Sequence, residues 1–176
     1  KSGERYFYVW AHRKNIGTPL DTGSMLMIAE FDPVYPERLI SEPKCLSRPL
    51  YGFENTEHTI NNEGPYAFYY HNKIYLAYSG GDARGYLYAI GMLTANDGDD
   101  LCDLSVWEKA KTPIASFATI PGEYGPGHNS FFWDRDQNLW IAYHAVTSFE
   151  EKIVSSGMRR VYFEQDKTPR FDVIVE

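Results

Sequence analysis

The sequence predicts an all-β protein, a partial β-propeller of about three blades in 176 residues. Three observations carry this. Short runs of strand-forming residues alternate with Gly, Pro, Asn and Asp turn material, and no segment keeps a long helical period. Aromatic residues make up 16% of the chain, and aromatics suit the half-buried, pleated surface of a strand. One hairpin pattern occurs twice, about 65 residues apart, a spacing that suits a four-stranded blade with long connections.

The elements follow in order. Arg5 to Ala11 is an aromatic-rich strand, and Gly23 to Phe31 is a second, after the turn material Gly17-Thr18-Pro19. Pro33, Pro36 and Pro43 break the chain into an irregular loop. Tyr66 to Tyr70 and Lys73 to Ser79 flank His71-Asn72 as a tight hairpin. Leu87 to Leu93 is the next strand, and Asn96 to Asp100 a polar, acidic loop without the glycine and closing Glu of an EF-hand. Asn129 to Trp133 and Asn138 to His144 form a second hairpin around Asp134-Arg135-Asp136-Gln137. Arg159 to Gln165 and Phe171 to Val175 are the closing strands.

Aligned, the two hairpins match. Each sets a polar residue, Glu63 or His128, shortly before an aromatic strand, then a turn, then a strand ending aromatic-aliphatic-Ala-Tyr. A propeller gathers the starts of its innermost strands around one axis, so Glu63 and His128 are expected at the same central funnel. Arg5 to Ala11 reads as the second strand of a hairpin, so the chain opens inside a blade.

Composition narrows the function classes. The length suits one domain, taken as residues 1–176, and the net charge is −7, which argues against nucleic acid as a partner. No apolar run approaches the roughly 18 residues of a membrane span, and the opening Lys1-Ser2-Gly3-Glu4-Arg5 is no signal peptide. The compartment stays open between bacterial cytoplasm and secretion. Cys45 and Cys102 lack any CxxC pattern and read as free thiols, and His128 has no second ligand at zinc spacing.

Asn62-Glu63-Gly64-Pro65 resembles the Glu-Gly-Pro motif of glycoside hydrolase family 43, and Gly125-Pro126-Gly127-His128-Asn129-Ser130 resembles its Gly-x-Gly-His motif. Tyr78-Ser79-Gly80-Gly81, Tyr88-Ala89-Ile90-Gly91, Trp107-Glu108-Lys109 and Pro113-Ile114 fit the family's intervening pieces. Phe53-Glu54 stands where the family usually has Trp-Glu. The resemblance implies a five-bladed propeller in the intact protein and a glycosidase acting on arabinose- or xylose-containing plant glycans. It implies that Glu63 is the general acid of an inverting reaction. It implies that His128 lies near the axis beside a water or a structural Ca2+, with no other cofactor required. It implies an arginine of the last blade in the sugar pocket. Arg159 and Arg160 alternate across one strand, so at most one faces the pocket, and Arg160 is the expected one. Phe53 and Tyr124 are the expected sugar-stacking walls.

The family's general-base Asp and the Asp that tunes the acid have no match in this sequence. The expectation is therefore a fragment lacking its N-terminal blades, inactive alone, that pairs with those blades or with another copy of itself. On spacing alone Glu63 also reads as a surface Glu at a strand start, and His12, His58, His71 and His144 read as structural. The competing function is a non-catalytic carbohydrate-binding or scaffold propeller.

Overall fold

The computed structural model describes residues 1–148, 150 and 153–172. Its first sheet has the order β1-β2-β3: β1 (Tyr6–Arg13), β2 (Ser24–Phe31) and β3 (Lys44–Ser47). The second has four strands in sequence order, β4 (Asn62–Tyr70), β5 (Lys73–Gly80), β6 (Ala89–Asn96) and β7 (Glu108–Lys109). The third joins β8 (Tyr124–Trp133), β9 (Leu139–Val146) and β10 (Val154–Arg160). A small hairpin, β11 (Tyr162–Phe163) and β12 (Pro169–Arg170), follows. All pairs in these sheets are antiparallel. This is the repeated meander of a β-propeller, and the helical content among the described residues is two 3-10 turns, Gly52–Glu54 and Leu104–Val106.

The core lies between the sheets, and β5 shows why. Residues 74–80 are buried without a break. Alternate side chains of a strand face opposite ways. Tyr75 and Ala77 pack toward the third sheet with Phe68, Phe131, Leu139, Ile141 and Tyr143. Ile74, Leu76 and Tyr78 pack toward the first sheet, on Leu26 and Ile28. A strand buried on both faces therefore reads as a continuous apolar run. Burying each such Leu or Ile contributes about 1.5–3 kcal/mol.

Local chemistry sets the turns. His71 takes a left-handed φ of 44° in the β4–β5 turn, and Gln137 one of 61° between β8 and β9. Asp134 closes that second turn by accepting from the Asn138 amide at 2.8 Å, the Asp136 amide at 2.9 Å and the Trp140 indole at 2.8 Å. Hydrogen bonds from the Asn138 and Trp140 side chains, then from these amides, hold its pKa down to about 2.

Some expected boundaries moved. Strand β3 lies inside the stretch read as irregular loop, where three prolines mask four strand residues. The closing strand expected at Arg159 to Gln165 is two elements: β10 ends at Arg160, and the chain turns before β11. Of the strand expected from Phe171 to Val175, residues 173–175 lie outside the described residues. The acidic loop ties down the N-terminal end: Asp97 accepts from the Gly3 amide at 2.8 Å, and Asp100 meets Arg5 at 3.0 Å.

Candidate active site

Glu63 sits at the start of β4, paired with Ser79 at the end of β5, and the register then slips before Tyr66. The slip is a β-bulge over Gly64-Pro65, a device that bends a strand and re-aims its side chains. Gly64 has a φ of 56°, a left-handed backbone that suits glycine, and a Cβ built there would lie 3.7 Å from the His128 ring. The corresponding start of β8 is irregular too, with register shifts on both sides of Gly127 and a φ of 50° at His128. The two motifs aligned in the sequence thus meet, each on a bulged strand start.

Ser79 joins them, because the His128 amide donates to its hydroxyl at 2.8 Å. Tyr88, wholly buried just before β6, donates its hydroxyl to Glu63 Oε1 at 2.8 Å. Burial first, with Glu63 adding to it, pushes the Tyr88 phenol well above its ordinary value, so it stays a donor at any working pH. The Tyr88 ring stacks on His144 at 5.5 Å, and His144 lies 6.3 Å from His128, both near-parallel. His144 pairs with Gly127 across β9 and β8. Its Nε2 is buried without a partner among the described residues. Burial, the largest influence, lowers its pKa and favours the neutral ring.

The residues singled out from sequence fall in different places. Glu63 and His128 are brought together. Tyr124 starts β8 at that same end, its ring edge-on to Tyr86 at 6.0 Å. Phe53 reaches it beside Gly80, but its half-buried ring packs on Leu26, Leu76, Tyr78 and Leu93, so it serves the core as much as any wall. Arg160 is not brought to Glu63. It pairs with Trp140 at the other end of its blade and lies over the Tyr162 ring at 5.1 Å. Arg159 is engaged elsewhere, with Glu123 and the Tyr143 hydroxyl, each at 2.7 Å. The expectation that Arg160 faces the pocket is corrected by strand register: the end of β10 lies opposite the end of the sheet where β8 begins.

Two residues around Glu63 carry no site signal in the sequence. His144 reads as structural there, although the hairpin places it across from the Gly-His motif. Tyr88 stands out only through the family resemblance. A further cleft, of about 280 Å³ and lined by Lys73, Tyr75, Asp166 and Lys167 among others, lies at the Lys73 end of β5, away from Glu63. Among the described residues no cluster of three or more His, Cys, Asp or Glu could hold a metal. Calcium prefers oxygen ligands, so the His128 imidazole fits such an ion only through an intervening water. No helix among the described residues is long and apolar enough to cross a membrane.

Comparison with known proteins bears on this geometry. The family described as Glycosyl hydrolases family 43 matches residues 1–169. An extracellular exo-α-(1→5)-L-arabinofuranosidase of Streptomyces avermitilis is 29% identical over 174 residues, covering 94% of this chain and 35% of the relative. The enzyme of the same description from Streptomyces chartreusis is 35% identical over 144 residues, covering 81% of this chain and 42% of the relative. The crystal structure of an α-L-arabinofuranosidase from Lactobacillus brevis superposes with a TM-score of 0.81 at 29% identity, covering 97% of this chain and 53% of that one. The chain thus spans well under half the length of these curated relatives.

Proposed function

This chain belongs to family 43 of the glycosyl hydrolases, and from that premise we propose that it is the acid-bearing part of a secreted, inverting α-L-arabinofuranosidase acting on arabinose-containing plant glycans. The observation that carries the reading is the Glu63 carboxyl, set by a bulge at a strand start and held at one oxygen by Tyr88. The arabinofuranosidase relatives support the sugar, and the description of two of them as extracellular supports secretion.

In this reading Glu63 protonates the oxygen of the departing sugar as the glycosidic bond breaks. A second carboxylate, about 6.5–9.5 Å across the sugar, activates water from the opposite face. That base and the Asp that tunes Glu63 belong to blades outside this sequence, and those blades complete the propeller. Tyr124 lies beside Tyr86 at the same end as Glu63 and offers a wall for a sugar ring.

The test compares the full-length enzyme with its Glu63→Ala variant on p-nitrophenyl arabinofuranoside, the corresponding xyloside and arabino-oligosaccharides. Loss of a general acid lowers turnover of the oligosaccharide about 10²–10⁴-fold. Proton NMR should show the β-anomer as the first product. Equal oligosaccharide activity in both proteins removes Glu63 from the role. No sugar cleavage by the wild-type protein, with binding retained, makes it a carbohydrate-binding propeller instead.

A further inference from the structure

We propose that Tyr88 is the positioning residue of this site, assigning the two oxygens of the Glu63 carboxyl so that the transferable proton sits on Oε2. The proposal rests on the reading of Glu63 as the acid.

The direction of the hydrogen bonds carries the argument. The chain of donors begins at the His128 amide, which can only donate, and gives its proton to the Ser79 hydroxyl oxygen at 2.8 Å. Ser79 keeps its own hydrogen free, and its hydroxyl acts on the Tyr88 phenol in the sense of a donor, opposing the rise in its pKa. Tyr88 in turn directs its hydrogen at Glu63 Oε1, 2.8 Å away. A protonated carboxyl has one O–H and one carbonyl-like oxygen, and the latter is the acceptor. With Oε1 occupied as acceptor, the proton resides on Oε2. Without the Tyr88 hydroxyl, either oxygen can carry it, and the carboxyl is free to rotate.

The fold keeps Tyr88 in place with unusual strictness. Its side chain is fully buried, stacked at 5.5 Å and 10° on His144. A Cβ at Gly127 would overlap the Tyr88 ring, whereas one at Gly125 would first strike the Gly85 carbonyl oxygen at 2.2 Å. Gly127 is therefore shaped around Tyr88. The sequence suggests only that these glycines let the backbone approach the axis. The structure adds that Gly127 makes room for the ring that holds the acid.

The experiment uses the full-length enzyme with Tyr88→Phe, which keeps the ring and removes only the hydroxyl. Two substrates are compared: arabino-oligosaccharide, whose leaving group needs a proton, and 2,4-dinitrophenyl arabinofuranoside, whose leaving group does not. We expect kcat on the oligosaccharide to fall roughly 10-fold, a share of the whole general-acid contribution of about 10²–10⁴, with the aryl substrate changed less than about twofold. Gly127→Ala, which displaces the ring and leaves the hydroxyl, should give the same dependence on leaving group. An equal loss on both substrates, in either variant, means a merely structural role and overturns the proposal. Glu63→Ala separates the two ideas. If that variant keeps its oligosaccharide activity, the reading of the acid fails. If it loses that activity while Tyr88→Phe behaves as wild type on both substrates, the proposal for Tyr88 alone fails.

Discussion

Glu54 and Lys109 form an ion pair of 2.5 Å inside the protein, with the Glu54 side chain wholly shielded from solvent. Glu54 also accepts the Tyr78 hydroxyl at 2.7 Å and the Tyr51 amide at 2.8 Å, while Lys109 donates to the Arg48 carbonyl at 2.9 Å. The Glu54 carbonyl accepts the Asn61 amide at 3.0 Å, so this network anchors the loop that delivers the chain to Glu63.

Removing one partner of this pair strands a buried charge. Lys109→Met is expected to cost about 3–5 kcal/mol, read from urea unfolding. The double variant Glu54→Leu with Lys109→Met removes both charges together and should be more stable than Lys109→Met alone. A single variant within about 0.5 kcal/mol of wild type would show that the pair does not anchor this loop.

The pH dependence of stability should carry the signature of His144. Burial lowers its pKa in the fold below the ordinary 6.5, with His128 lowering it further and the Ala83 carbonyl and Glu63 acting against. As pH falls through 6.5 the unfolded chain takes up this proton first, so unfolding is favoured. The stability from the neutral ring is complete above 6.5 and declines below it until the folded pKa is reached. His144→Phe keeps a ring to stack on Tyr88 and cannot titrate. Its melting temperature should fall less steeply than that of wild type between pH 7 and pH 5. Parallel curves would mean that His144 has the same pKa folded and unfolded.

Gly64 is expected to be intolerant for a backbone reason. Its φ is 56°, yet a Cβ would make only an ordinary contact with the His128 ring at 3.7 Å. Gly64→Ala should therefore cost about 1–2 kcal/mol through left-handed strain, and Gly64→Asn less, since Asn visits that region more readily. Unfolding curves for the two variants test the order. If Asn proves the worse of the two, side-chain crowding at His128 and not the backbone is the cause.

Much of this protein is legible from local residues. Alternating apolar runs, aromatic strands and short polar turns give the hairpins at Tyr66–Ser79 and Asn129–His144 because strand and turn preferences act over a few neighbouring residues. The repeat of one hairpin motif is enough to place Glu63 and His128 at one end of adjacent blades, and the structure joins them through Ser79.

Other features depend on residues that meet only when blades pack. Tyr88 reaches Glu63 from 25 positions away, and Tyr78 reaches Glu54 from 24. No local pattern distinguishes these tyrosines from the other aromatics of the core. Register decides the fate of Arg160 as well: ending β10 at residue 160 sends it to the Trp140 end of the blade, where a strand begun at Arg159 would have placed it at the Val146 end, beside the start of β8. Side-chain alternation is written into the chain. Which end of a sheet a residue occupies is fixed by pairing with distant strands, and the burial that perturbs Tyr88 and His144 exists only once those sheets close on each other.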